Sequence, residues 1–254
     1  MEVFDNKNLP VDYSDIANYR GTLPIRNPAL KPWTADNFDL SAEYYTANGG
    51  LLSAGVFRKD LQNFLGDASR IAPPALLAEM GLDQRSLNWN IVTKFNSGNA
   101  RITGGEINVK QSLRLLGKWG RSFTLFANGT KLQLDGKPGA AFTSFIPKSG
   151  NWGATVAPKR FTLTARWNYR GLDKRAPLAA YGPGGDEYLE ARTVLDLSTS
   201  FQLTNRLSLV GSANNIFNQP RRFLRYGDLT PTSARQYAEQ EYGIQMALGL
   251  RGSF

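Results

Sequence analysis

Few of the 254 residues show a pattern that catalysis would need. The chain contains neither histidine nor cysteine, so the usual general base and the commonest zinc ligands are missing. Asp186, Glu187 and Glu190 are the nearest approach to a carboxylate pair for hydrolysis. They follow a Gly/Pro loop, whereas catalytic groups need rigid support. The sequence therefore predicts no catalytic residue, no metal site and no cofactor.

Charged side chains alternate with apolar ones along several segments. If these segments are strands, the charges share one face, which could line a polar lumen or hold an anionic substrate. The charges could instead pair with one another. The set is Glu43, Glu106, Arg114, Arg160, Arg166, Arg170, Asp196 and Arg251.

A second set consists of aromatic side chains in the connections between these segments. Aromatic rings in loops could stack on a sugar or on an aromatic iron chelator, and the alternative is ordinary loop packing. The residues that could contact such a substrate are Trp89, Phe142, Phe145, Tyr181, Tyr188, Tyr226 and Tyr237.

The last fourteen residues show which element positions such side chains. From Tyr242 to Phe254 every second residue is apolar or glycine, and the residues between them are polar or small. This alternation is typical of a strand with one apolar face, and it exceeds the ~9–11 residues that a tilted strand needs to cross a bilayer. A strand that ends on an aromatic residue is typical of an outer-membrane barrel, and Tyr242, Leu250 and Phe254 are its candidate assembly signal.

The same alternation predicts nine strands in all, with one short loop helix near 75–82. Their connections are alternately short and long, which is typical of a membrane barrel with short periplasmic turns and long extracellular loops. The predicted strands are 37–46, 51–62, 100–116, 122–132, 151–157, 160–171, 192–203, 206–217 and 241–254. The short turns are 48–50, 117–120, 158–159 and 204–206, and the long loops are 63–99, 133–150, 172–190 and 218–240.

Composition excludes several other classes. The chain is 41% hydrophobic with a mean hydropathy of −0.36, and no stretch approaches the ~18 apolar residues of a spanning helix. The net charge of +9 could attract nucleic acid, but the arginines are spread singly along the strands, which suits a polar lumen better, so we expect no nucleic-acid partner. The first residues lack the basic and apolar regions of a secretion signal. We therefore expect either a protein outside the membrane or the carboxy-terminal piece of a longer one.

Five segments in order resemble the carboxy-terminal part of the TonB-dependent outer-membrane receptors. The resemblance extends over about 27–254, and the clearest departure is Trp33, where the family usually has an acidic residue. The segments are Asn27–Pro32 with Asp36–Tyr44, Gly50–Phe64, Asn96–Glu106, Tyr169–Gly171, and Asn214–Asn218 with the terminal Phe254.

The resemblance implies an all-β fold: an antiparallel transmembrane β-barrel of about 22 strands with a plug domain in its lumen. Nine strands are then an incomplete carboxy-terminal portion, with residues 1–34 as a lead-in or extracellular loop and 35–254 as barrel strands. The lumen charges could pair with the missing plug. An open nine-strand sheet in lipid would leave two unpaired edges, so the chain should be a fragment. Closure of single-chain bacterial barrels favours an even number of strands, so with an odd count of nine, strand 37–46 should not form a full ladder with strand 241–254.

The implied function is an outer-membrane receptor that takes up a scarce nutrient, of the siderophore, vitamin or carbohydrate class. The implied partners are outer-membrane lipid, the plug and amino-terminal strands, a TonB-type energy-coupling protein that acts through the plug, and the barrel-assembly machinery. Two alternatives stay open: a small passive barrel or porin, and a soluble β-sheet binding protein. The upstream gene sequence would separate receptor from porin, and the direction of the apolar faces would separate membrane protein from soluble protein.

Overall fold

A computed structural model describes residues 21–82, 89–136, 145–178, 181–182 and 184–252. These ranges are mostly strand. The strands are β1 (Thr22–Pro24), β2 (Thr34–Thr46), β3 (Gly50–Ile71), β4 (Asn90–Ser112), β5 (Phe123–Gly136), β6 (Lys148–Val156), β7 (Phe161–Arg170), β8 (Asp173–Pro177), β9 (Asp186–Leu189), β10 (Arg192–Gln202), β11 (Leu207–Asn214), β12 (Arg221–Tyr226), β13 (Gln236–Gln240) and β14 (Gln245–Gly252). The α-helix α1 (Pro74–Glu79) lies between β3 and β4, and short 3-10 helices lie at Leu113–Leu116, Gly120–Ser122 and Thr232–Ala234.

Ten of these strands form one large sheet, which β1 joins only through β4. The other nine follow the order β14-β11-β10-β7-β6-β5-β4-β3-β2. Each corresponds to one of the nine strands predicted from the sequence, so the all-β prediction is confirmed. The order ends at β2 on one side and β14 on the other, and no pairing joins β2 to β14 within the described ranges. The sheet is therefore an unclosed part of a barrel, as expected.

The strand register separates an apolar face from a polar face. One row of directly paired residues is apolar across six strands: Leu125, Ala154, Ala165, Leu197, Ala213 and Met246. The next row is polar or small: Thr124, Thr155, Thr164, Ser198, Ser212 and Ala247. On the apolar face Met246 and Leu248 are 75% and 78% exposed. A sheet that presents side chains of this kind outward is suited to contact with lipid.

The short connections between spanning strands form where the sequence predicts them. Gly49 has φ +76°, and its N–H donates to the carbonyl oxygen of Thr46 at 3.1 Å. Between β10 and β11, the hydroxyl of Thr204 accepts the N–H groups of Arg206 and Leu207 at 3.2 and 3.0 Å. Both turns use local acceptors in place of ladder partners, so the chain reverses within a few residues.

Several predicted boundaries were wrong. The stretch 63–99 was predicted to be a loop, but β3 continues to Ile71 and β4 begins at Asn90. The apolar alternation ends there because strands outside lipid require only backbone pairing. Arg114, predicted in a strand, lies in a 3-10 helix.

Two other predicted strands also have different ends in the structure. The strand β11 ends at Asn214, and Asn215 has φ +55°. Similarly, β14 begins only at Gln245, after Gly243 with φ +74°. A residue in the left-handed region interrupts strand geometry, so each of these positions separates a strand from its loop.

The loops 172–190 and 218–240 were also predicted to lack strands, but they contain β8, β9, β12 and β13. These four strands form a second sheet in the order β13-β12-β9-β8. They are only four to six residues long and have no lipid face, so no apolar alternation marks them. The two loops therefore fold together, although β10 and β11 separate them in the chain.

The chain divides into two compact units. Unit 2 comprises 37–59, 102–134 and 141–254, and unit 1 comprises 1–36, 60–101 and 135–140. In unit 1, β1 pairs in parallel with β4 through Thr22–Asn90 and Leu23–Ile91. The core of unit 1 consists of Leu23, Ala72, Leu77, Trp89 and Ile91. The predicted division of the chain at residue 34 stays a prediction.

The only α-helix in the described ranges, α1, confirms the helix predicted near 75–82. It begins with proline in its first turn and buries Leu77, as expected for a short loop helix. None of the helices in these ranges is long and apolar enough to cross a membrane.

Candidate functional site

The second sheet of unit 2 holds several of the aromatic residues that the sequence singles out. Its central pair is β9 and β12, with Tyr188 opposite Leu224 and Asp186 opposite Tyr226. The rings of Tyr188 and Tyr226 stack with centroids 4.3 Å apart and planes inclined by 15°. The guanidinium carbon of Arg235 lies 4.6 Å from the centre of the Tyr226 ring. This arrangement combines flat aromatic surface with positive charge.

A second aromatic contact lies on the opposite face of this sheet, because Arg225 and Tyr226 are consecutive residues of β12. Arg225 lies opposite Glu187, and its Nε and Nη2 donate to Oε2 of Glu187 at 3.1 and 3.0 Å. The Tyr237 hydroxyl donates to the same oxygen at 3.1 Å. The Arg225 guanidinium carbon lies 3.7 Å from the centre of the Tyr237 ring. The guanidinium plane is therefore held by the carboxylate of Glu187 and by the ring of Tyr237.

These surroundings change the acidity of the phenols. Burial, followed by the negative charge of Asp186, raises the pKa of Tyr188 to about 12. Burial, followed by the hydrogen bond to Glu187, raises the pKa of Tyr237. The hydrogen bond to Glu187 also raises the pKa of Arg225. At neutral pH the site therefore presents neutral phenols beside permanent guanidinium charges.

Two buried carboxylates anchor β8 beneath the site. Asp173 is fully buried, accepts a hydrogen bond from Arg170 and lies 3.5 Å from Nη1 of Arg175. Asp186 is 5% exposed and pairs with Nζ of Lys174 at 2.6 Å. Buried charges are tolerated when they are paired in this way. The sheet therefore has a rigid base, which a binding surface needs.

The turn between β12 and β13 forms the outer tip of the sheet. The Thr230 N–H donates to the Gly227 carbonyl oxygen at 3.1 Å, and the Gly227 N–H donates to the Thr230 hydroxyl at 3.0 Å. Leu229 between them is 88% exposed. The tip is a closed turn that supports the strands on either side.

The structure brings together only part of the predicted aromatic set. Tyr188, Tyr226 and Tyr237 share the second sheet, and Tyr181 is close enough to Arg225 to influence it electrostatically. Phe145 forms an isolated bridge with Lys174 of β8. Trp89 is only 6% exposed, in the core of unit 1, and Phe142 lies outside the described residues. The binding role of the whole set stays a prediction.

The predicted lumen charges are dispersed over the large sheet. Arg166 lies opposite Asp196 and its guanidinium carbon is 5.5 Å from the Phe126 ring centre. Asp196 itself accepts hydrogen bonds from the Asn168 side chain and the Asn215 N–H at 2.7 and 2.9 Å. Arg170 belongs to the Asp173 cluster. Asp196 and Arg170 therefore join spanning strands to the loops.

The other predicted lumen residues have local surroundings. Glu43 in β2 accepts a hydrogen bond from Tyr45, and Glu106 in β4 would contact a side chain placed at Gly55. Arg160 precedes β7 and accepts the Gln202 N–H through its carbonyl oxygen at 2.8 Å. Arg251 in β14 lies opposite Ser208. Lining of a lumen by these residues stays a prediction.

The residues of the candidate assembly signal lie at or near the last strand. Leu250 is in β14 opposite Leu209, Tyr242 precedes β14, and Phe254 lies outside the described residues. The acidic residues Asp186, Glu187 and Glu190 each form an ion pair with a basic side chain. Glu190 lies 3.7 Å from Nη1 of Arg222. In the described part of the chain, no group of three or more metal-ligating side chains could hold a metal ion.

Sequence reasoning missed Arg225 and Arg235, which complete the site. Neither belongs to an alternating segment, and both reach their rings through cross-strand pairing rather than through spacing in the chain. A local signal was nevertheless available. In the stretch 221–226 (RRFLRY) and the nearby Arg235–Tyr237, arginine and aromatic residues lie close together in the sequence.

Comparison with known proteins agrees with this architecture. Residues 6–216 match the family model described as TonB dependent receptor-like, beta-barrel. A curated relative, the iron-regulated outer membrane virulence protein of Vibrio cholerae, is 25% identical over 213 residues, which are 79% of this chain and 30% of that protein. The chain thus spans about a third of the length of its curated relatives.

Solved structures show the same fold. A ferric enterobactin receptor from Pseudomonas aeruginosa in complex with enterobactin matches with a TM-score of 0.65 and 20% identity, over 94% of this chain and 34% of that one. The copper transporter OprC matches with a TM-score of 0.62 and 16% identity, over 89% of this chain and 33% of that one. The matches place the protein in the bacterial outer membrane, and the chain belongs to the family of TonB-dependent receptor β-barrels.

Proposed function

We propose that this chain is the carboxy-terminal barrel region of an outer-membrane receptor for a scarce nutrient. The second sheet is its substrate-contacting element, with Tyr188, Tyr226 and Arg235 on one face and Tyr237 with Arg225 on the other. The observation that carries the proposal is the position of this sheet. Its strands form within the connections between membrane-spanning strands, so a rigid aromatic and cationic surface belongs to the loop ends of a lipid-facing sheet.

The chemistry of this surface favours a planar or anionic substrate. Neutral phenols offer stacking area, and guanidinium groups attract negative charge without titrating at neutral pH. A siderophore, a vitamin or a carbohydrate presents one or both of these features. The names of the relatives, which include a ferric enterobactin receptor and a copper transporter, favour a metal-bearing substrate.

Uptake of a scarce nutrient requires energy and further parts. In the proposed receptor, a plug domain and amino-terminal strands complete the barrel, and a TonB-type protein couples the plug to an inner-membrane complex. Lumen charges such as Arg166 and Asp196 face that plug. The barrel-assembly machinery inserts the strands into outer-membrane lipid, with Tyr242, Leu250 and Phe254 as the proposed signal. The unclosed sheet weighs against the alternative of a small passive barrel.

Uptake measured in cells tests the proposal. Cells with and without the gene are given a ferric catecholate siderophore, cobalamin or a maltooligosaccharide, each with and without a protonophore. We expect gene-dependent uptake of one of these that the protonophore abolishes. Uptake that survives the protonophore would instead indicate a passive pore.

Two matched variants test the site itself. Arg225→Lys keeps the charge but loses the planar contact with Tyr237, so the KM for uptake should rise between about two- and fivefold. Arg222, three residues earlier in β12, contacts Glu190 and Glu239 instead of a ring, so Arg222→Lys should leave uptake unchanged. Equal effects of the two variants on KM would contradict the assignment of the Arg225–Tyr237 contact to substrate binding.

A further inference from the structure

A cleft on the polar face of the large sheet contains guanidinium groups that the proposed function does not use. It lies where β10, β11 and β14 meet the loops and has a volume of about 410 Å³. The side chains that define it are Arg192, Asp196, Asn214, Arg221, Tyr242 and Gln245.

Positive charge is concentrated in this cleft. Arg192 lies directly opposite Arg170 in the β7–β10 register. Arg221 and Arg170 act on it as like charges, and the carboxylate of Asp196 in the same cleft offsets part of this positive charge. The Arg221 guanidinium carbon lies 5.4 Å from the centre of the Tyr242 ring, which borders the cleft. Like charges held together at a partly buried site favour an anion between them.

The neighbouring carboxylates are already engaged. Asp173 forms an ion pair with Arg170. Both carboxylate oxygens of Asp196 accept hydrogen bonds, and the carboxylate of Glu241 accepts a hydrogen bond from Asn218. Within the described ranges, no carboxylate lies within ion-pair distance of Arg192 or Arg221. The Nε atom of Arg221 is also buried without an acceptor. Buried donors are normally satisfied, so the cleft lacks an oxygen-bearing partner.

We propose that the Arg192–Arg221 cleft binds a small oxyanion, either a carboxylate or a phosphate group. Guanidinium forks match the geometry of both groups and bind them through parallel hydrogen bonds. The cleft volume admits a small anion with several oxygens, and Tyr242 and Asn214 add polar contacts at its border. The site is separate from the second-sheet surface and does not depend on whether the protein transports.

Calorimetry on the protein purified from outer membranes in detergent tests the site. Inorganic phosphate and tricarballylate, titrated separately at constant ionic strength, distinguish a phosphate from a carboxylate ligand. We expect saturable binding of at least one of them with one molecule per chain. Arg192→Gln and Arg221→Gln should each lower the affinity about tenfold or more, since each removes a charge-assisted hydrogen bond. Arg192→Lys should give a smaller loss.

The matched control is Arg206→Gln, which removes the same charge from the exposed turn between β10 and β11 and should leave the affinity unchanged. Protection of arginine against phenylglyoxal, read by mass spectrometry on the unmodified protein, gives a second measurement that needs no variant. The bound anion should protect Arg192 and Arg221 and leave Arg206 reactive. The proposal is overturned if neither anion saturates, if Arg206→Gln weakens binding as much as the cleft variants, or if no protection is seen.

Discussion

Tyr188 shows how one side chain connects packing to charge in the second sheet. Its ring stacks on Tyr226, and its hydroxyl donates to Oδ2 of Asp186 at 3.3 Å. Asp186 is held in turn by Lys174. A phenolate at this position would be buried beside a carboxylate, so the surroundings favour the neutral phenol.

The raised pKa of Tyr188 has a measurable consequence at high pH. Because the folded pKa of about 12 lies above the ordinary value of 10.0, its stabilising contribution is complete below pH 10. That contribution is lost as the pH rises through about 12. The difference in tyrosinate absorption between the parent protein and Tyr188→Phe should therefore show one phenol that ionises near pH 12. A difference that appears near pH 10 would show that Tyr188 is hydrated like a free phenol.

At the scale of elements, β14 carries the clearest division between lipid and lumen. Leu248 is paired with Gly211, and its neighbour Ala247 with Ser212. The two side chains therefore point to opposite faces of the same sheet. Leu248 continues the apolar face, while Ala247 continues the polar row of Ser198 and Ser212.

Arginine placed at these adjacent positions should have opposite effects. Leu248→Arg, in the middle of β14, should destabilise the folded protein by ~2–4 kcal/mol because the charge enters lipid. Ala247→Arg, on the polar face, should change stability by only about 0.5 kcal/mol. Urea unfolding in lipid vesicles measures both. A larger loss for Ala247→Arg than for Leu248→Arg would mean that the two faces have been assigned the wrong way round.

Strands that face lipid were predictable from the sequence, whereas strands outside the lipid layer were not. In β7, β10 and β14 the lipid requires an apolar residue at every second position, so the pattern marks strands such as Phe161–Arg170 directly. The outer parts of β3 and β4, and the short strands β8, β9, β12 and β13, obey no such requirement. Their pairing depends on partners distant in the chain, such as Glu187 for Arg225, and local spacing does not encode that register.

At the scale of the whole molecule, the large sheet ends at β2 and β14 within the residues that the structure describes. Unsatisfied amides and carbonyls at an edge are costly in lipid, so in the proposed receptor further strands cover both edges. The count of nine was predictable because each spanning strand carries its own alternation. Closure was not directly readable, because it depends on pairing between strands about 200 residues apart, and the expectation of an open sheet came from the odd count.

The absence of native cysteine allows a direct test of closure. Leu209 and Leu250 are direct cross-strand partners, so Leu209→Cys with Leu250→Cys should form a disulfide within the molecule. Leu40→Cys in β2 with Leu248→Cys in β14 should form none, because these strands are not neighbours. Mass spectrometry of the protein purified from outer membranes distinguishes the two results. A disulfide between β2 and β14 would support a small closed barrel and would contradict the receptor-fragment proposal.

The closed turn at 227–231 is also a suitable position for a label that can be detected on living cells. Exposed tips between well-paired strands are the sites where inserted sequence is best tolerated, and Leu229 in this turn is 88% exposed. On the proposed topology it faces the medium. A short epitope inserted after Leu229 would then be displayed on the cell surface without entering the lipid or the binding surface. The protein could be counted and followed on intact bacteria by fluorescent antibody.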